Sequence, residues 1–218
     1  MGFLEFARSP GMVESGRMQV QTRRARPSDL DRASEVLGEA FADYPWTRWT
    51  VDADDHVERV TRLQRVALQH YGLAFGQVWV CGVAASVESV AVWMDSAVAV
   101  PPTVHERLMP VRAELEGSRH GASVAAEQEL QAWRPDQRHY YLAAVGTVPA
   151  MQGRGLARLA LRPVLRAADD EGVCAFLETS SASNVDFYAK LRFEVAGHLR
   201  ISGGGPDVWA MLRRPLAA

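Results

Sequence analysis

Hydrophobic positions in the first half of the chain follow two different periods. Apolar residues recur every three or four positions over 30–42 and 53–71, which predicts two amphipathic helices. The alternating stretch 19–25 and the β-rich runs 77–81 and 89–94 predict strands, and the short Gly/Ala/Ser segment between the last two predicts a hairpin.

The second half alternates between strand and helix patterns. A helical region is predicted over 103–133, with an interruption at the glycines of 117–121. Further strands are predicted at 140–148, 174–179, 195–201 and 207–212, and further helices at 153–171 and 184–191. The order β-α-α-β-β-α-β-α-β-α-β-β predicts an α/β (α+β) fold, a single mixed, mostly antiparallel, twisted sheet with helices on both faces. We expect one domain over 18–218 and a disordered leader over 1–17.

One strand–turn–helix stretch predicts a ligand site. The apolar run 140–148 ends at Pro149, and a turn with Gly153 and Gly155 leads directly into an Ala/Leu-rich helix. Backbone N–H groups at a helix start lack intrahelical partners and attract anions, so the turn predicts a phosphate-bearing cofactor at 152–158. The pattern fits neither a P-loop nor a dinucleotide-binding fingerprint. The alternative is an ordinary connection whose glycines serve only the turn.

Composition and charge narrow the class of protein. The 218-residue chain has a formal net charge of −2 and no basic stripe, which argues against nucleic-acid binding. No apolar run is long enough to span a membrane. Cys81 and Cys174 lie in apolar runs without CxxC spacing, which is typical of buried thiols in a reducing compartment, so we expect a cytoplasmic protein. The histidines have no HxxxH or HxH spacing, and we expect no metal.

Two motifs carry a family resemblance. The turn reads P-x-x-Q-G-x-G-x-A from Pro149 to Ala157, and this resembles the acetyl-CoA pyrophosphate loop of the GCN5-related N-acetyltransferases (GNAT). Asn184, followed by Phe187-Tyr188 and Phe193, resembles a second block of that family. The likeness to the puromycin N-acetyltransferases runs from about Val20 to Pro215 and rests on the segments Ala40–Pro45, Thr50–Asp52, Glu58–Thr61, Val78–Val80, Ala91–Trp93, Gly117–Arg119 and Phe176–Ser180.

The resemblance implies acetyl-CoA as co-substrate and assigns residues to it. The backbone of Val145, Gly146 and Thr147 would hold the pantetheine arm and the thioester, and Asn184 the pantetheine amide. The alternative for Asn184 is an ordinary helix N-cap. The pyrophosphate would lie on the turn and the helix start, residues Gln152, Gly153, Arg154, Gly155, Leu156, Ala157 and Arg158.

The resemblance also implies catalytic residues. Tyr188 would be the general acid for the leaving sulfur, or, alternatively, a core aromatic. The base is open between Tyr44, Glu178 and water. Four residues are expected to form the substrate pocket: Tyr44, Trp46, Trp49 and Trp93. Trp46 and Trp49 are expected in a loop after Pro45, whereas Trp93 lies in a predicted strand and has a core position as its alternative.

These assignments predict acetyl transfer to the free amine of puromycin or a related aminonucleoside, by direct attack in a ternary complex. Another small amine or a protein N-terminus is the alternative acceptor, and a non-catalytic acyl-CoA-binding domain is the alternative class. The expected partner is a small-molecule amine, with the protein a monomer or a homodimer.

Overall fold

The computed structural model describes residues 20–84 and 86–216. The expected leader, residues 1–17, lies outside the described residues. Within them, no helix is both long and apolar enough to cross a bilayer.

A seven-stranded sheet forms the centre of the molecule, in the order β1-β2-β3-β4-β5-β7-β6. β4 and β5 run parallel, and the other five pairings are antiparallel, which confirms the predicted mixed sheet. The strands are β1 Val20–Arg24, β2 Gln77–Val83, β3 Ser89–Asp95, β4 His139–Thr147, β5 Cys174–Thr179, β6 Glu194–Arg200 and β7 Asp207–Arg213.

Eight α-helices accompany the sheet in the described part of the chain. They are α1 Leu30–Phe41, α2 Pro45–Thr50, α3 His56–Ala67, α4 Leu73–Phe75, α5 Pro102–Glu116, α6 His120–Gln131, α7 Leu156–Asp170 and α8 Ala182–Ala189. A π-helical turn, Leu68–Gly72, joins α3 to α4.

The two faces of the sheet bury alternate residues of the same strands. Val90 and Val92 of β3 pack with α1, whereas Ala91 and Trp93 pack with α7. Because successive side chains of a strand point to opposite faces, the continuous apolar run of β3 serves both layers. This arrangement confirms helices on both faces.

Close packing fixes the distance between α1 and β4. A Cβ added at Gly146 would lie 2.8 Å from Ala40 Cβ and 2.9 Å from Leu37 Cδ2. The missing side chain at Gly146 therefore lets the end of α1 lie directly against the strand that forms the site.

Three predicted element boundaries are wrong. Trp46 and Trp49 lie on α2 and not in a loop, because Pro45 is its first residue, where a missing N–H costs no hydrogen bond. The helix expected over 53–71 begins at His56 and does not close at Gly72. Gly72 packs instead against Val78 and Val92 of the sheet.

The third correction concerns α7. It begins at Leu156 and not at Gly153, because Gly153 and Gly155 adopt left-handed backbone angles, with φ of 74° and 80°. Arg192, which follows α8, also has a positive φ, of 69°, at the position where the family pattern has glycine.

Candidate active site: a gap between two parallel strands

The sheet opens between β4 and β5. Their pairing begins at His139 and ends where Leu142 faces Leu177. On the other edge of β4, Val92 faces Ala144 and Trp93 faces Leu142, so Ala143 is an extra, bulged residue. Residues 143–147 therefore have no strand partner on the β5 side, and their backbone groups on that side need other hydrogen-bond partners.

A cavity of about 610 Å³, the gap cavity, lies at this opening. Its walls bring together most of the residues that the sequence assigned to the cofactor, from three separate elements. They are Val145, Gly146, Thr147, Gln152, Gly153, Gly155, Leu156, Ala157, Arg158 and Asn184, together with Tyr44, Glu178 and Tyr188. Arg154 is exposed on the turn and does not line the cavity.

The start of α7 faces the gap cavity as an open anion site. The positions that a Cβ would occupy at Gly153 and Gly155 have no atom within 4 Å. The first turn of α7 carries no acidic residue, and no side chain caps it. Because the helix dipole and the unpaired N–H groups both favour negative charge there, the predicted phosphate site has the required geometry.

Tyr188 is a buried tyrosine that lines the cavity. Its side chain lies in the core between Phe187 and Phe193, with ring centroids 5.1 Å and 5.7 Å away. Its hydroxyl makes no hydrogen bond to another described residue, although the ring lines the gap cavity. Burial raises the pKa of Tyr188 well above its usual value, so the phenol keeps its proton at any working pH.

Glu178 is a buried carboxylate with one oxygen unused. Tyr141 Oη donates to Glu178 Oε2 at 2.9 Å, while Oε1 is buried and has no hydrogen-bond partner in the part of the chain that the structure describes. Arg134 Nε lies 3.8 Å from that Oε1, beyond hydrogen-bond distance. Burial raises the pKa of Glu178, and Arg134 and the Tyr141 hydrogen bond oppose that shift.

Tyr44 joins the start of α2 to the end of β5. Its hydroxyl accepts a hydrogen bond from the Ser180 N–H at 2.7 Å and shares another with Thr179 Oγ1 at 2.8 Å. Asn184 lies beside them, and its Nδ2 is 3.4 Å from Thr179 Oγ1. The N-cap of α8 is Ser181, so the N-cap alternative for Asn184 is wrong.

A second, smaller space of about 230 Å³, the inner cavity, adjoins the gap cavity. The two share Ala143 and Glu178 as wall residues. The inner cavity is also lined by Trp46, Glu127, Leu130, Arg134, Tyr141, Thr179, Ser180 and Val208.

Only part of the expected substrate pocket lines these spaces. Trp46 lines the inner cavity and Tyr44 the gap cavity. Trp93 as a pocket wall is wrong, because its side chain is 0% exposed and packs in the core beneath α7. Trp49 lines neither cavity, since it packs against a small core cluster and beneath the guanidinium of Arg119, 5.1 Å from its ring.

Sequence reasoning missed the group that surrounds Glu178. Tyr141 is hidden in an apolar strand pattern, Glu127 lies within α6, and Arg134 follows the end of the helical region. A charged residue next to a short strand is the sequence feature that could have indicated them, but many surface residues have the same feature. The bulge at Ala143 has no signal in the sequence.

The chain contains a similar trio away from the cavities. Arg138 lies over the ring of Tyr140 at 5.6 Å, and the Tyr140 hydroxyl donates to Glu171 at 3.0 Å. Arg134, Tyr141 and Glu178 form the corresponding set, with 5.0 Å from guanidinium to ring. Only the second set borders the cavities, so the first provides matched controls.

Among residues 20–84 and 86–216, no cluster of three or more His, Cys, Asp or Glu side chains could hold a metal ion. The groups that the structure brings together at the gap are the start of α7, the open edge of β4, Tyr188 and Glu178.

Known proteins are similar to the chain in part of its sequence and in its fold. Residues 102–193 match the model of the Acetyltransferase (GNAT) family. The fold is similar to a Corynebacterium glutamicum structure described as histone acetyltransferase HPA2 and related acetyltransferase, at 22% identity and a TM-score of 0.69, covering 92% of this chain and 99% of the other.

Two further solved structures have the same fold. One is a putative acetyltransferase from Salmonella typhimurium with its cofactor acetyl-CoA, at 16% identity and a TM-score of 0.53, covering 92% of this chain and 96% of the other. The other is a Drosophila melanogaster polyamine N-acetyltransferase that forms N-acetylagmatine, at 12% identity and a TM-score of 0.54, covering 90% and 100%. The expected fold class is confirmed.

Proposed function

We propose that this chain, which has the GNAT fold and matches the GNAT family model over residues 102–193, is an acetyl-CoA-dependent N-acetyltransferase of small amines. One observation carries the proposal. The start of α7, the open edge of β4 and Tyr188, whose hydroxyl has no hydrogen-bond partner among the described residues, all line a single cavity of about 610 Å³. That volume is within the roughly 300–1,000 Å³ typical of small-molecule sites.

The residues present fit coenzyme A. The pyrophosphate would bind the N–H groups of the first turn of α7, where Gly153 and Gly155 leave the approach open and Arg158 adds a positive charge. Arg154, exposed on the same turn, adds a second. The pantetheine arm would bind the backbone of residues 143–147 on the side that faces β5, and the amide of Asn184. Acetyl-CoA, when bound, supplies an acetyl group activated as a thioester.

Two side chains have the chemistry that transfer requires. Glu178 accepts a proton from the ammonium of the acceptor at its free oxygen, Oε1, which leaves a neutral amine able to attack. The C–N bond then forms as the C–S bond breaks, and the proton that the attacking nitrogen loses passes to the departing thiolate. Backbone N–H groups of β4 donate to the carbonyl oxygen, and Tyr188 donates to the departing sulfur.

The hydrogen bonds of Tyr44 favour Glu178 over Tyr44 as the base. The Tyr44 hydroxyl already bonds to Ser180 and Thr179, so it fixes the end of β5 next to Glu178. Glu178 Oε1, in contrast, has no hydrogen-bond partner among the described residues and can accept a proton. Tyr44 is therefore a positioning residue in this proposal.

For the acceptor we propose puromycin or a related aminonucleoside. The support is the likeness of segments to puromycin N-acetyltransferases, together with Trp46 beside Glu178 in the inner cavity. A protein N-terminus is the competing acceptor, but the inner cavity has a volume of only about 230 Å³ and is lined by residues of α2, α6, β4, β5 and β7. Such a space suits a small molecule better than a chain segment.

A direct assay tests the function. The purified full-length protein is incubated with acetyl-CoA and puromycin, and the product is examined by mass spectrometry for one added acetyl group while thiol release is followed. Acetylated puromycin supports the whole proposal. Acetylation only of other amines in a panel refutes puromycin as the acceptor. Calorimetric binding of coenzyme A without turnover of any amine refutes the proposed enzymatic activity. Failure to bind coenzyme A refutes the site.

Arg134 is expected to set the acidic limb of the pH profile. Glu178 must be ionised to accept a proton, and Arg134 opposes the rise in the pKa of Glu178 that burial causes. In Arg134→Gln that pKa rises further, because the opposing positive charge is lost while burial and the like charge of Glu127 remain. The acidic limb of kcat/KM should therefore move to higher pH.

The matched control is Arg138→Gln, which removes the equivalent arginine from the similar trio. Its pH profile should coincide with that of the unmodified protein. Coincident profiles for all three proteins would remove Glu178 as the titrating base, whereas equal shifts in both variants would indicate a general electrostatic effect.

A further inference from the structure

A third cavity extends the site away from the cofactor. It has a volume of about 540 Å³ and lies between α3 with its π-helical turn, α5 and α6; we name it the outer cavity. It shares Trp46, Glu127 and Arg134 with the inner cavity. The inner cavity in turn shares Ala143 and Glu178 with the gap cavity, so the three spaces follow one another.

We propose that these cavities form one passage for the acceptor, and that the preferred acceptor is an elongated monoamine with a neutral, apolar or aromatic tail. The amine lies in the inner cavity beside Glu178, and the tail lies in the outer cavity. The inference rests on the proposed function and specifies its substrate class.

The volumes of the inner and outer cavities indicate an acceptor of two parts, a slender amine end and a bulkier tail. The inner cavity, at about 230 Å³, is smaller than the roughly 300–1,000 Å³ of typical small-molecule sites. It holds an amine and a short linking segment but not a bulky group. The outer cavity, at about 540 Å³, is within that range. A larger acceptor must therefore extend through the inner cavity into the outer one.

The charges of the outer cavity are already paired. Arg112 binds Glu127 with both terminal nitrogens, at 2.7 Å and 2.6 Å, and binds Glu116 Oε1 through Nε at 2.8 Å. Burial alone lowers the pKa of Arg112, but the hydrogen bonds and charge of Glu127 raise it above its usual value, so the cation persists. Glu116 also accepts hydrogen bonds from Ser123 Oγ and shares one with His120.

This pairing disfavours a second positive charge on the acceptor. A polyamine needs a carboxylate for its distal ammonium, and the two carboxylates of the outer cavity already share Arg112. Freeing one of them would leave the partly buried guanidinium of Arg112 with a single carboxylate partner, which costs free energy. The acceptor class of the polyamine acetyltransferase with the same fold is thus disfavoured for this chain.

The rest of the outer wall suits a flat apolar tail. Leu63, Val66, Leu108 and Met109 supply aliphatic surface. Tyr71, on the π-helical turn, lies against His105 with ring centroids 5.3 Å apart, and its hydroxyl bonds to His105 Nδ1 at 3.2 Å. Aromatic rings prefer such edges and faces as partners, so an aryl tail gains contact here.

The test changes the outer cavity without touching the gap. Ala67 is an exposed residue at the end of α3 that lines the outer cavity, and Ala67→Trp fills that space. Ala125→Trp is the matched control, because Ala125 is also exposed and helical but lies outside the three cavities. The acceptors are puromycin, phenylbutylamine, butylamine and spermidine, each measured for turnover with acetyl-CoA and for calorimetric binding to the coenzyme A complex.

We expect phenylbutylamine to exceed both butylamine and spermidine in kcat/KM for the unmodified protein. Ala67→Trp should reduce the ratio of phenylbutylamine to butylamine by at least about tenfold, mainly through KM, as lost apolar contact does. Ala125→Trp should leave the ratio unchanged.

Two outcomes overturn the passage: an equal ratio in Ala67→Trp and Ala125→Trp, or spermidine as the best acceptor. Binding of phenylbutylamine that weakens in Ala67→Trp, without acetyl transfer to any amine, would support the passage and refute the proposed function. The failures of the two proposals are therefore distinguishable.

Discussion

Replacing Tyr188 by phenylalanine is expected to lower kcat by about 10²–10⁴-fold, the usual contribution of a positioned proton donor. The Tyr188 hydroxyl lacks a partner among the described residues and keeps its proton because burial raises its pKa. It can therefore donate a hydrogen bond to a departing sulfur without giving up one made in the fold. For the same reason the melting temperature should change little. Steady-state kinetics at saturating acetyl-CoA, with thermal unfolding in parallel, measure both.

Tyr140→Phe is the control for this change. Tyr140 is a buried tyrosine of β4 whose hydroxyl donates to Glu171, and it lies outside the three cavities. Its loss should leave kcat within a few-fold of the original and lower stability by about 1 kcal/mol, the usual net worth of a hydrogen bond. An unchanged kcat in Tyr188→Phe would remove Tyr188 from the mechanism and leave it as a core aromatic.

Replacing Glu178 by glutamine is the second large change, with an expected loss of about 10²–10⁴-fold in kcat/KM near neutral pH. Glutamine has nearly the same shape but cannot accept a proton from an ammonium. The loss should shrink as pH rises toward the pKa of the acceptor amine, because free amine then forms without a base. A pH series of kcat/KM measures both effects.

The stability of Glu178→Gln should change in the opposite direction to its activity. Burial raises the pKa of Glu178 in the folded protein, so the folded state holds that proton more tightly than the unfolded state does. The ionised side chain therefore reduces stability as pH rises through the folded pKa, and it has no such cost below the unfolded pKa. At neutral pH the glutamine variant should melt at an equal or higher temperature.

Glu171→Gln is the matched control, since Glu171 also accepts a tyrosine hydroxyl but lies in the similar trio. Its activity should be unchanged. If Glu178→Gln keeps full activity across the pH series, water or another group takes the proton, and Glu178 only shapes the inner cavity.

The periodicity of the sequence was sufficient for most of the fold. β5 was predicted with its observed bounds, and β4, α1 and the β2–β3 hairpin lie within two residues of the prediction. The reason is that buried apolar positions repeat at the spacing of each element. The anion turn at Gly153 and Gly155 was also predictable, because left-handed backbone strongly favours glycine.

Side-chain position was harder to predict where it depends on tertiary contacts. Trp93 and Trp46 are both aromatics near the predicted site, yet Trp93 is buried beneath α7 and Trp46 lines the inner cavity. Alternation along β3 tells which residues share a face, but not which face adjoins a cavity. The ion pair of Arg134 with Glu178 joins residues 44 positions apart, and no local pattern records it.

The short pairing of β4 with β5 has a mechanical consequence. Four residue pairs are the whole ladder between the four-stranded part of the sheet and the three-stranded part. The two parts of the sheet are therefore hydrogen-bonded to each other at one end only, and they diverge at the other end. A ligand that forms hydrogen bonds to both parts links them across the gap. Because it binds the folded protein and not the unfolded chain, its binding free energy adds to the free energy of unfolding.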